Sequence, residues 1–92
     1  MKYDKAYFLA KFEAIPEQNW CSDGTYTNGP NRFCAFGHCG DGPNVTFSEE
    51  ADALRLLMIP VGNVADINDG LYEKYQQPSA KQRILAALND VP

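Results

Sequence analysis

The sequence is short of basic residues, of histidine and tryptophan, and of any long apolar run. Eight lysines and arginines stand against twelve aspartates and glutamates, a formal net charge of −4. That balance argues against a large basic face, so nucleic-acid binding is not expected. It suits a basic partner surface, although −4 is also an ordinary value for solubility. No apolar stretch reaches the length of a signal peptide or a membrane span, and residues 1–5 carry mixed charge. A cytoplasmic protein with no membrane partner is therefore expected. Cysteine is scarce and odd in number, three in all, so a disulfide framework would leave one thiol over. In the cytoplasm Cys21, Cys34 and Cys39 should stay reduced, and the Asn44-Val45-Thr46 sequon should carry no glycan.

Repeats, linkers and low-complexity segments are also missing. The chain has 92 residues, 45% of them hydrophobic, which points to a single globular domain over 1–92. A domain of this size buries about 60–65% of its unfolded surface around one modest core.

Periodicity predicts a mainly helical, all-α fold of three longer and two short helices. Asp4 caps a helix over residues 5–15, with Phe8, Phe12 and Ile15 on one face and Pro16 as its stop. From residue 17 to 31 the period fails. Ser22-Asp23-Gly24 and Asn28-Gly29-Pro30 are turn signals, predicting a structured loop or a small hairpin near 20–30 that Trp20 plugs into the core. Asn31 can cap a short helix over 32–39, closed by Gly40 in the left-handed region. Thr46 or Ser48 starts the next helix, with Ala51, Leu54, Leu57 and Met58 inward and Pro60 at its end. Asn63 caps a short turn through Val64 and Ile67, ended by Gly70. An apolar turn of Leu71, Tyr72 and Tyr75 follows. Ser79 and Gln82 form a capping box for a last helix with Ile84, Leu85, Leu88 and Val91 inside. Lys81, Gln82 and Arg83 cluster at its exposed start.

The stretch from Trp20 to Gly40 holds all three cysteines, the only tryptophan and the only histidine. Cys21, Cys34, His38 and Cys39 are of the right type for zinc, and Cys34 and His38 share a helix face. Paired C-x2-C knuckles are absent, and adjacent positions point about 100° apart on a helix. The favoured reading is therefore three small buried hydrophobes with no cofactor. Cys34 or Cys39 with His38 and Asn68 or Asp69 has the composition of an activated thiol, but no oxyanion site or cleft can be traced in the pattern. Asp66-Ile67-Asn68-Asp69-Gly70 lacks calcium-loop spacing and suits a backbone turn better. Trp20, Tyr72 and Tyr75 are aromatics that can stack a ligand or fill the core. As binding candidates, Trp20, His38, Asn68, Asp69 and Tyr72 stand out. The catalytic candidates reduce to Cys34, His38 and Asp69.

Trp20, Cys34-Ala35-Phe36-Gly37-His38-Cys39-Gly40, Ile67-Asn68-Asp69-Gly70 and the segment from Lys81 to Leu88 together resemble a set of small proteins of tailed phages and of gut bacteria carrying prophages. The likeness runs from Tyr7 to Asp90. A more distant similarity is to a bacterial domain of unknown function with a Trp…Cys-Ala-x-Gly…Asn-Asp pattern, met here by Trp20, Cys34, Ala35, Gly37, Asn68 and Asp69. That domain carries a small aliphatic residue in place of His38, which tells against a mechanism that needs an imidazole. The resemblance implies an all-helical domain in a phage or prophage setting, hence the host cytoplasm, and brings no activity with it. The expected role is a non-enzymatic accessory protein acting on a protein partner. The alternative is a counter-defence protein that blocks a host effector or sequesters a small nucleotide signal. A thiol-dependent or zinc protein is the third reading.

Overall fold

The computed structural model describes residues 2–24, 27–40 and 48–92. Among them are five helices: α1 (Lys5–Ala14), α2 (Ala35–His38), α3 (Glu49–Leu57), α4 (Val64–Asn68) and α5 (Ala80–Asn89). Three are long and two short, and among the described residues the β pairing is confined to isolated bridges. The fold is all-α.

Helix α1 begins where the Asp4 carboxylate accepts the Tyr7 amide, 2.9 Å away. Phe8 and Phe12, one turn apart, are wholly buried and their rings stack with centroids 5.8 Å apart. Helix α5 is the other wall of the core, with Ile84, Ala87 and Leu88 sealed inside. Two lysines fix the relation of these helices. Lys5 Nζ donates to the Asn89 and Val91 carbonyls at the end of α5. Lys81 Nζ, at the start of α5, donates to the Glu13 carbonyl at the end of α1. The two helices therefore run antiparallel, each C-terminus meeting a cation where orphan carbonyls favour one.

Between α1 and α2 the chain makes a 3-10 turn, Glu17–Asn19, and then a loop pinned to Phe33. The Cys21 amide donates to the Phe33 carbonyl and the Phe33 amide to the Asn19 carbonyl. Isolated bridges join Phe33 to Trp20 and to Thr27. The expected loop is thus present, a structured segment held by single backbone contacts, while Thr25 and Tyr26 lie outside the described residues.

Three local expectations are corrected. The helix anticipated over 32–39 is only one turn, Ala35–His38, because Cys34 and not Asn31 caps it. Asn31 takes φ 66°, which ends a turn and cannot start a helix. Leu71 is exposed, not part of an apolar turn with Tyr72 and Tyr75. Arg83 is buried although it sits among polar neighbours at the start of α5. Ser48 is the cap of α3, accepting the Ala51 amide, and the Thr46 alternative lies outside the described residues. The Ser48 hydroxyl also donates to the Cys39 carbonyl, 2.6 Å away, so one side chain joins the end of α2 to the start of α3.

Candidate functional site

The sequence motifs converge on a polar knot inside the core, and its centre is Asn68. Residues 66–71 close α4 in a Schellman arrangement, with Leu71 N–H donating to Asp66 O and Gly70 N–H to Ile67 O. Gly70 at φ +75° makes that turn available. The last helical residue, Asn68, then points inward and is 1% exposed. Its Oδ1 accepts the Ala35 amide at 3.0 Å. That amide is in the first turn of α2, where no helical carbonyl can reach it. Its Nδ2 donates to the Cys21 carbonyl at 2.9 Å and to Asp69 Oδ1 at 3.0 Å. A flipped carboxamide would set donor against donor and acceptor against acceptor, so the network fixes the orientation. One side chain thus ties the 20–22 loop, α2 and α4 together.

Arg83 completes the knot from α5. Its Nε and Nη2 donate to the Asn68 carbonyl at 3.3 and 2.7 Å, Nε also to the Ile67 carbonyl, and Nη1 to the Gln77 carbonyl at 2.8 Å. The guanidinium therefore caps the C-terminal carbonyls of α4, where the backbone dipole favours positive charge. Burial pulls its pKa down and the nearby Asp69 carboxylate opposes that shift.

The sulfur and imidazole candidates are engaged in the same architecture. Cys34 caps α2, its Sγ accepting the Gly37 amide at 3.4 Å. Burial pushes its thiol pKa up despite the stabilising amides of Gly37 and Phe36. A thiol held protonated is a poor nucleophile. His38 Nε2 lies 2.9 Å from the Asn19 carbonyl. A carbonyl only accepts, so Nε2 carries the proton. Burial lowers the His38 pKa, the Asn19 carbonyl works the other way, and Lys11 adds to the lowering. The ring sits between Trp20 and Phe33, at centroid distances of 4.8 and 5.4 Å. Trp20 also packs edge-on to Phe12 and turns its indole N–H toward the Ile15 carbonyl. Cys21, Cys34 and Cys39 are all buried, and no disulfide joins any two of them. Among the described residues no three His, Cys, Asp or Glu side chains gather as a metal-holding group.

The aromatic candidates fall into two places. Trp20 packs edge-on against Phe12 and at a tilt against His38, whereas Tyr72 stacks on Tyr75 with centroids 5.6 Å apart. Gly62 explains where Tyr72 rests, for a Cβ there would stand 3.2 Å from the Tyr72 ring and 3.3 Å from Ile67 Cδ1. Tyr75 donates its hydroxyl to Asp90 at 2.6 Å, and burial with that bond pushes its pKa up to about 12.

One surface feature lies outside all of these motifs. Leu56, in the last turn of α3, and Ile59, in the turn that follows the helix, are 62% and 67% exposed. Ile59 borders a groove of about 360 Å³ whose other walls include Phe36, Arg55, Val64 and Ala65. The Arg55 guanidinium lies 4.7 Å above the Phe36 ring and pairs with Asp52. A signal for this feature was present in the run Ala53-Leu54-Arg55-Leu56-Leu57-Met58-Ile59. It carries more aliphatic residues than one face of a nine-residue helix can turn inward. No family model, curated protein or solved structure matches this chain. Among the described residues no helix is long and apolar enough to cross a membrane.

Proposed function

We propose that this protein is a small accessory protein of phage or prophage type that works by binding another protein, without catalysis of its own. The observation that carries this reading is the exposure of the large aliphatic side chains Leu56 and Ile59, the second of them lining a groove shared with Phe36. A large aliphatic side chain exposed at a concave surface is a commoner mark of an interaction site than one exposed on a flat, polar face. The polar knot supports the same reading from inside. Cys34, His38 and Asn68 each hold backbone groups, and Trp20 is buried, so the residues with the richest chemistry serve the fold. The phage setting rests on the resemblance carried by Trp20, the segment from Cys34 to Gly40 and Ile67-Asn68-Asp69-Gly70.

A counter-defence protein that blocks a host effector is the second reading. It is the same physical act directed at a particular target, and a net charge of −4 favours a basic one. Photo-crosslinking in cells tests the binding reading. A benzophenone amino acid placed at Ile59 should give a discrete adduct with one partner, which then binds the purified protein. The same probe at the exposed Gln18 should not. Identical adducts from both positions would sink the reading.

A further inference from the structure

Asn28 is the one asparagine of the sequence that is followed by glycine. The backbone nitrogen after an asparagine can attack the side-chain carbonyl carbon, and glycine, having no Cβ, hinders that approach least. In a folded chain the attack also depends on what already holds that nitrogen. The amides after Asn19, Asn31, Asn68 and Asn89 are committed: Trp20 donates to the Glu17 carbonyl, Arg32 to Gly29, Asp69 to Ala65 and Asp90 to Ala87, at 3.0 to 3.3 Å. Asn63 precedes the stiff, β-branched Val64, and its Oδ1 accepts the Asp66 amide. The Gly29 amide meets no acceptor among the described residues.

Asn28 and Gly29 are both exposed, so water reaches the reacting atoms. Their turn is closed by two long bonds, Arg32 N–H to the Gly29 carbonyl at 3.3 Å and Asn28 N–H to the Arg32 carbonyl at 3.4 Å. Exposed turns of this kind open locally at little cost. The Asn28 carboxamide has a structural duty as well. Its Nδ2 donates to Asp23 Oδ2 at 2.9 Å, a clip between the two ends of the loop. We propose that Asn28-Gly29 is a self-modification site, at which the folded chain converts Asn28 to aspartate and isoaspartate and so releases the clip to Asp23.

The Gly29 nitrogen gives its proton to solvent base and bonds to Asn28 Cγ, closing a five-membered imide. The Cγ–Nδ2 bond breaks and Nδ2 leaves as ammonia, its added proton supplied by water. A water molecule then opens the imide. Attack at Cγ returns the ordinary backbone with aspartate at 28. Attack at the backbone carbonyl carbon leaves isoaspartate, with the main chain running through the former side chain. The net change is water consumed and ammonia released. Either product sets a carboxylate against Asp23 where a donor stood, so a hydrogen bond gives way to like charges. Isoaspartate also lengthens the main chain by one carbon beside the Thr27–Phe33 bridge. The Trp20–Phe33 bridge and the Arg32 bond to the Trp20 carbonyl lie farther in and should persist.

The test ages the full chain in mildly alkaline buffer, then digests it and sequences the fragments by mass spectrometry. Residue 28 should exchange NH for O at least about tenfold faster than residues 19, 31, 63 and 89. The intact protein should gain one negative charge on ion exchange, and Asn28→Gln, which cannot close a five-membered ring, should not. Amide hydrogen exchange of the separated product should rise at residues 27–32 and stay unchanged in α1 and α5. Asn28→Asp should reproduce part of that rise. Conversion in the urea-unfolded chain with none in the folded one would overturn the proposal, because the turn then shields Asn28. Equal conversion at every asparagine would overturn it too. Conversion at 28 with unchanged exchange at 27–32 would overturn the claim that the clip is released.

Discussion

The knot around Asn68 and the groove beside α3 divide this small protein between two uses of side chains. In the knot, polar groups are buried and each bonds a backbone atom: Asn68 reaches Ala35 and Cys21, Arg83 reaches Ile67, Asn68 and Gln77. At the groove, aliphatic groups face water. Each arrangement carries a cost in the isolated protein, since polar groups are desolvated in one place and apolar surface is hydrated in the other. The knot recovers its cost within the fold, because short helices have orphan amides and carbonyls that some side chain must satisfy. Leu56 and Ile59 recover little by burial, at 62% and 67% exposed, which is why they are read as a surface for something else. A residue of rich chemistry is therefore not by itself a functional site; what its polar atoms touch decides.

The largest effect should come from breaking the knot. Asn68→Ala removes the acceptor for the Ala35 amide and a donor to the Cys21 carbonyl, at about 1–3 kcal/mol for a buried group left unsatisfied. A domain of 92 residues holds only about 5–14 kcal/mol in total, so urea unfolding should show a severe loss or no folded state. Asn68→Asp separates shape from hydrogen bonding. It keeps the acceptor for Ala35 but turns an oxygen on the Cys21 carbonyl and the Asp69 carboxylate. It should be nearly as damaging. Arg83→Met, which leaves the α4 carbonyls uncapped, should follow at about 2–4 kcal/mol. Near-native stability in Asn68→Asp would show that the knot does not hold the fold.

The comparison also explains what could be seen in the chain before its structure. Long helices were legible because their signals are local. Asp4, Ser48, Asn63 and Ser79 each cap the helix that follows them, and Phe8, Phe12, Ile84 and Leu88 keep the helical period. Trp20 as a core plug was legible from its surroundings in a turn-rich segment. The knot was not, because its bonds join residues 33 and 47 positions apart and nothing local marks a buried Asn or Arg. Arg83 looked like a surface residue among Lys81 and Gln82 for that reason. The cap of α2 was missed because cysteine is rarely a capping residue, and Asn31 offered the commoner chemistry three positions earlier. The groove was hidden differently. Pattern shows that α3 has surplus aliphatic residues, but only the packing of α2 and α4 decides which of them stay outside.

A smaller effect should come from acid at His38. Its pKa is lower in the folded protein than the ordinary value of 6.5, with burial as the main cause. The unfolded chain then binds the proton more readily. The neutral ring's contribution is present above pH 6.5 and is lost as pH falls from there through the folded-state value. Urea midpoints should decline between pH 7 and pH 5. His38→Gln keeps an N–H donor for the Asn19 carbonyl but cannot titrate, so its decline over the same window should be flatter. A variant that loses stability in parallel with the parent would show that other groups set the slope. Cys34 acts in the opposite direction: its raised pKa means that stability is lost as pH rises above about 9.

The smallest effects are expected at Leu56 and Ile59, and Leu54, in the same helix as Leu56, supplies the buried reference. Leu54 and Leu56 are two positions apart on α3, one wholly buried and the other 62% exposed. Leu54→Ala should cost about 2–5 kcal/mol, the range for emptying a packed site. Leu56→Ala and Ile59→Ala should stay within about 0.5 kcal/mol, as surface changes do. Leu54→Ala and Leu56→Ala share a helix and the same propensity cost, so the difference between those two isolates burial. If Leu56→Ala proves as damaging as Leu54→Ala at low protein concentration, the face is covered by the chain itself and offers no surface to a partner. If the damage appears only at high concentration, copies of the chain cover one another there. A negligible change at every concentration leaves two large aliphatic side chains facing water without contributing to the fold, as a docking face requires.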